Sequence, residues 1–132
     1  MGKPTDIRVV EAECAFEPIE FHAPLKFGGR VIENTILINV EVTVATRNGP
    51  HVVGFGSMPI GNIWAWPSST LEPEQTVEVM QQFAERVAAL AESYPEFGHP
   101  IDIVYQLSAE YSHLGRTLPR QMGLDEPMPE LA

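Results

Sequence analysis

The sequence predicts an α+β domain: a three-stranded antiparallel meander followed by a small set of helices. Apolar residues alternate with period 2 in three segments of the first half, at residues 9–16, 36–46 and 51–55, the pattern of half-buried strands. Between Phe55 and Thr76 the period changes to 3.6, as in amphipathic helices lying on one face of a sheet. All strands precede all helices, an order that favours a segregated architecture over a parallel sheet of alternating units.

In the first strand Val10, Ala12, Cys14 and Phe16 share one side and Glu11 and Glu13 the other. Alternation is strictest in the second, where Ile36, Ile38, Val40, Val42 and Val44 share a face opposite Asn39, Glu41 and Thr43. It ends at Arg47-Asn48-Gly49-Pro50, whose Asn-Gly pair favours positive φ and a tight reversal into the third strand. The chain then breaks into Gly54, Gly56, Pro59, Gly61 and Pro67 with Trp64 and Trp66 between, a composition expected to form neither helix nor regular strand. Pro73 opens a helix expected over residues 73–93, with Val77, Met80, Ala84, Val87 and Ala91 as the stripe on the sheet. Gly98, His99 and Pro100 separate it from a second helix over residues 100–114. Its expected face is Ile101, Val104, Tyr105, Ser108 and Tyr111, and its expected C-cap is Gly115. Residues 126–132 have the composition of a further helix start, proline near the first turn with an acid close behind, and predict a longer protein that continues beyond them.

One domain accounts for the 132 residues, and 44% hydrophobic with 20% charged residues suffices for a packed core. Eighteen acidic residues against 8 basic ones give a formal charge of −10, which repels phosphates and anionic head groups and argues against nucleic acid and membrane as partners. No apolar run reaches the roughly 20 residues of a spanning helix, and no apolar signal segment follows Lys3, so the cytoplasm is the expected compartment. Cys14 is the only cysteine, which leaves no internal disulfide; its apolar neighbours mark it as a small core residue. The four histidines fall in no His-x-x-x-His or His-Glu-x-x-His spacing, and no Asp-rich calcium loop is present, so no metal site is expected in this chain. Gly54, Gly56 and Gly61 lack the Lys-Ser or Lys-Thr helix start of a phosphate cradle and are read as turning points.

Pro24-Leu25-Lys26-Phe27-Gly28-Gly29-Arg30, the strand at 36–46, the Asn48-Gly49 turn and Gly54-Phe55-Gly56-Ser57-Met58-Pro59 occur in one order and spacing. That series resembles the N-terminal capping domain of the enolase superfamily, of the mandelate racemase and muconate lactonizing enzyme type; the helices resemble it by type and order. Ser57 departs from the pattern, since many relatives carry an acid there. The resemblance implies a cap whose two loops fold over the mouth of a (β/α)-barrel, exclude water and contact the distal part of a substrate. Proton abstraction beside a carboxylate, and the Mg2+ that stabilises the enolate, belong in that family to the barrel. Mapped onto this sequence, the first loop is residues 18–29 and the second 57–67.

Residues 1–132 then form a single capping domain with no catalytic residue and no cofactor of its own, Mg2+ being held by the parent enzyme. Its partners are a barrel of the same or a split polypeptide and a small carboxylate substrate, and self-association is compatible with this. The candidates for substrate contact are His22, Lys26, Phe27 and Arg30 around the first loop and Met58, Ile60 and Trp64 in the second. Lys26 or Arg30 suits a carboxylate or hydroxyl; the simpler reading, which comes first, is that each side chain is solvated or bridges to Glu20 or Glu33. The second loop holds more large apolar groups than a water-facing loop needs. Trp64 reads as contact surface, while Trp66 reads equally as closure of the domain's own core. The leading expectation is the cap of an acid-sugar dehydratase, racemase or cycloisomerase. The alternative is a free-standing α+β binding or dimerisation module that uses the Trp-rich loop. An independent enzyme built on His22 lacks any motif for a nucleophile or a base and its orienting partner.

Overall fold

A computed structural model describes residues 2–132. Its elements are β1 (Ile7–Phe27), β2 (Arg30–Thr46), β3 (His51–Pro59), a single-turn α1 (Asn62–Ala65), α2 (Pro73–Ser93) and α3 (Pro100–Gln121). The strands form one antiparallel sheet in the order β1-β2-β3, and the helices follow, as expected. α2 packs on β1, and α3 packs on α2.

β1 and β2 are much longer than the alternation suggested. Residues 18–29, expected as a loop, are mostly strand: pairing continues to Phe27↔Arg30, while β3 ends opposite Leu37, so the two strands project beyond the third as an arm. Gly28 (φ 56°) and Gly29 (φ 76°) close the arm. Two successive positive φ values make the tight reversal that matches strand twist, and only glycine adopts them without a Cβ penalty. Pairing breaks between Glu20 and Leu25, where Pro24 has no N–H to give to a ladder. A second irregularity between Val9 and Glu11 turns Val9 inward, 7% exposed, and leaves Val10 outside at 37%. This corrects the expected inward position of Val10, because one extra residue in a strand reverses the side-chain alternation at that point. The Asn48-Gly49 turn forms without positive φ; it is a four-residue connection in which Thr46 Oγ1 donates to the Pro50 carbonyl at 3.2 Å.

α2 starts and ends where its pattern places it. Pro73 occupies the first turn, and the Glu72 N–H donates to Gln75 Oε1 at 2.9 Å, satisfying one of the donors a helix start leaves free. Thr76, Val79 and Met80 are buried, and the rest of the expected stripe is half-buried. α3 departs from expectation in two ways. It runs through Gly115 to Gln121, and the left-handed glycine past its end is Gly123 (φ 81°). Its buried face is Ile103, Leu107, Gly115 and Leu118, whereas Ile101, Val104 and Tyr105 are 72%, 59% and 78% exposed. Ending the helix at Gly115 hides Leu118, the residue that decides which of two apolar stripes faces inward. Gly115 has a packing role instead: Met128 donates its N–H to the Gly115 carbonyl at 3.2 Å, and a Cβ on Gly115 would lie 3.3 Å from Met128 Cε.

Residues 126–132 form turns rather than a helix start, and Met128 enters the core. That core joins Ile60, Trp66, Val79, Met80, Leu118 and Met128. Asp6, 7% exposed, anchors the start of the sheet by accepting from Lys3 N–H at 2.6 Å and from Arg47 at 3.3 Å. The inverted face of α3 is directly measurable. Leu107→Ala is expected to lower unfolding free energy by about 2–5 kcal/mol, and Val104→Ala to change it by no more than about 0.5 kcal/mol. Urea titration of both variants checks this, and equal losses would show that the face is misassigned.

Candidate functional site

The segment after β3 is built to turn a tryptophan back toward the arm. Ile60 extends the pairing by one residue, donating its N–H to the Ile36 carbonyl at 2.9 Å. Gly61 (φ 62°) then reverses the chain; a Cβ there would lie 3.1 Å from the Trp64 ring, so both backbone and space require glycine. α1 is held to the start of α2 by Asn62 Nδ2, which donates to the Pro73 carbonyl at 3.1 Å and to Thr76 Oγ1 at 3.0 Å. Trp64 meets Phe27 at the tip of the arm edge-on, with ring centroids 5.3 Å apart and planes at 74°. This is a favourable geometry for an aromatic pair. The two sequence segments read as mobile loops therefore touch and form one apolar rim.

Beneath the rim an open groove of about 710 Å³ runs between the part of β2 left unpaired by β3 and the α1–α2 corner. Ile19, Phe21 and Ile32 line its arm side, Ile60 and Ile63 its opposite side, and Arg30, Glu33 and Glu74 are the charged residues on its walls. A pocket of about 130 Å³ between Gly28, Trp66, Ser68 and Thr76 also touches Arg30, which thus stands between the two. The ion pair among the described residues is Arg47–Asp6; Arg30 and Lys26 are exposed and make no bridge to Glu20 or Glu33, so of the two structural alternatives it is solvation that the structure shows. The Arg30 guanidinium is left with its planar fork available to an anion.

Of the residues singled out for substrate contact, Phe27, Arg30, Ile60 and Trp64 come together around these two cavities. Ile60 is 6% exposed and belongs chiefly to the core. His22 and Lys26 lie exposed on the arm away from the cavity linings, and Met58, 66% exposed, sits on β3 opposite Ile38. Phe21, Ile32, Asn62 and Glu74 line the groove without having been singled out. Ile19 and Phe21 alternate with each other but fall on odd positions, out of phase with Ala12, Cys14 and Phe16, so the alternation of β1 gave no continuous signal for them.

Trp66 is 2% exposed, whereas Trp64 is 43% exposed. The Trp66 indole N–H donates to Glu126 Oε1 at 2.7 Å, while Ser68 and Thr70 hydroxyls donate to Oε2 at 2.7 and 2.8 Å. Those hydrogen bonds, from Ser68 first and then Trp66 and Thr70, hold the Glu126 carboxyl below its usual range against the opposing effect of burial. Burial, with Glu85 nearby, pushes the half-buried Cys14 thiol up, so it is protonated at neutral pH. Burial and Glu110 likewise raise Tyr111. Among the described residues no group of three or more His, Cys, Asp or Glu could hold a metal ion, and no helix is long and apolar enough to cross a membrane. No family model, curated protein or solved structure matches the chain.

Trp66→Ser is expected to lower stability by about 3–5 kcal/mol, as for loss of a buried aromatic, and Trp64→Ser by less than about 1 kcal/mol; equal losses in chemical denaturation would place Trp64 in the core. Because Glu126 titrates lower when folded than the unfolded value of about 4.3, its contribution is complete above that pH. It is lost as pH falls through the depressed folded pKa. Melting temperature should therefore drop more steeply below about pH 4 in the parent protein than in Glu126→Gln, and parallel curves would show that the three hydrogen bonds do not favour the charged form.

Proposed function

We propose that this chain is the N-terminal cap of a magnesium-dependent enzyme of the enolase superfamily, an acid-sugar dehydratase, racemase or cycloisomerase of the mandelate racemase type acting in the cytoplasm. The observation that carries the reading is the Phe27–Trp64 contact. It joins the arm tip and the α1 corner into one rim, with Arg30 beside it for a substrate carboxylate or hydroxyl. A rim of this kind excludes water from whatever surface it closes upon, and a preset aromatic pair reduces the ordering cost of closure. Leu25, Phe27, Val31 and Trp64 are each at least 43% exposed around it, apolar area of the kind that marks a contact surface.

Among the described residues no group of three or more His, Cys, Asp or Glu is placed to hold magnesium. The reading gives the ion and the proton-abstracting base to the barrel, and to this domain only coverage and selection of the substrate's distal part. The alternative, a free-standing module using the Trp-rich loop as its interface, is favoured by the exposure of Trp64 alone.

Two measurements test the proposal. The isolated chain is expected to exchange no α-proton of acid sugars or hydroxy acids in D2O, with or without magnesium, as followed by proton NMR; exchange abolished by mutating one of its own residues would place the chemistry here. Sequencing the gene beyond the codon for Ala132 is expected to reveal alternating strand–helix units, in the same or an adjacent reading frame, with acids at successive strand ends. Finding no barrel in either place would sink the cap reading.

A further inference from the structure

The two edges of the sheet are treated in opposite ways. On the β1 edge the Ala12 N–H is taken by Glu92 of α2 at 2.7 Å. Ile7 and Gly98 exchange both backbone bonds, at 2.9 and 3.0 Å. The irregularity at Val10 interrupts what remains, and Glu11, Glu13, Glu17 and Glu20 line the strand with charge. Such devices keep a strand from pairing with another chain. β3 has none of them over residues 51–58, and only Pro59 at its end lacks an outward donor. All nine of its residues are exposed, none is acidic, lysine or arginine, and its large apolar side chains Val52, Val53, Phe55 and Met58 are 51–69% exposed.

The backbone of β3 is also arranged for pairing. Ile60 donates toward β2, and bonding direction alternates along an antiparallel strand. The even-numbered residues of β3 therefore face β2, and His51, Val53, Phe55 and Ser57 turn their N–H and C=O groups away from the sheet. Pro59, with no N–H to offer, falls in the outward set, the place where a strand tolerates proline.

We propose that β3 pairs antiparallel with β3 of a second copy about a twofold axis at Phe55, giving a continuous six-stranded sheet. A symmetric partner fits because the strand is self-complementary: Phe55 meets its own copy and Val53 faces the partner's Ser57, as an isologous contact requires. Charge decides the edge through which two copies can meet. The chain carries −10, so two copies repel unless their acids stay apart. Pairing through β3 separates the two β1 strands by five strand spacings, about 24 Å, roughly three Debye lengths at physiological salt. Glu41, the acid nearest the seam on β2, lies three spacings from its copy, about 14 Å. This inference goes beyond the cap reading and is independent of it, since its readout involves neither substrate nor barrel.

Light scattering and sedimentation equilibrium of the whole chain at roughly 100 μM are expected to give the mass of a dimer. Phe55→Lys places a charge on the axis, and Val53→Pro removes an outward donor without touching the β2 ladder. Each is expected to weaken association at least tenfold while leaving the melting temperature of the monomer nearly unchanged. In a Cys14→Ser background, Val53→Cys combined with Ser57→Cys should cross-link the dimer, since opposed hydrogen-bonded residues lie about 5.5 Å apart. Val53→Cys alone should not, its copy being about 14 Å away. A monomer at that concentration overturns the proposal, as does a dimer that survives both Phe55→Lys and Val53→Pro. Loss of the dimer in Trp64→Ser with Phe55→Lys still dimeric would move the interface to the Trp-rich loop and equally overturn it.

Discussion

The hydrogen bond from the Trp66 indole to Glu126 is the tie on which the rest of the structure depends. It joins the segment between sheet and helices to the segment after α3, two stretches with no regular secondary structure to hold them together. Burying an indole N–H without a partner is costly, so Trp66 closes the core where an acceptor meets it, here the Glu126 carboxylate. Glu126 does so while also accepting from Ser68 and Thr70, which fixes the path leading to α2. Ser68 in turn accepts from the backbone of Thr70 and Leu71. With that path set, Met128 is delivered to Gly115, and the six buried residues of the core come into contact.

The same tie explains the position of the aromatic rim. Trp66 is anchored inward, so the single helical turn before it presents Trp64 on the opposite side, toward the arm. The arm can reach it because β1 and β2 extend past the end of β3, and because the Gly28-Gly29 turn returns Arg30 to a position between both cavities. An aromatic contact between two elements far apart in sequence thus rests on a buried contact made elsewhere.

Coverage of the sheet is uneven. α2 lies on β1, so Phe16 is packed while β3 remains open along its whole length. Acidic residues gather on the covered edge and are missing from the open one. In a chain with this net charge, that distribution leaves β3 as the part of the surface where apolar contact and backbone pairing meet little electrostatic opposition.

Much of the fold was legible in the sequence because it rests on local rules. Strict alternation defined the middle of β2, and Pro73 with the 3.6 period defined α2 to the residue. The order of strands before helices determined the fold class. Within the candidate site, Phe27, Arg30 and Trp64 were legible as unusual residues, but their meeting was not, since a contact between residues 27 and 64 leaves no mark on local pattern. The length of the arm was hidden by Pro18 and Pro24, which read as loop residues although an edge strand tolerates them. Two stripes of α3 had comparable apolar content, and only the position of Leu118 against Val79 and Met80 decided between them. The sequence by itself determined what is periodic or chemically local: the middle of the strands, the bounds of α2 with its Pro73 start, the order of strands before helices, and the net charge. The tertiary structure alone decided which apolar face turns inward, which tryptophan is buried and which sheet edge stays open, because each depends on burial against residues distant in the chain.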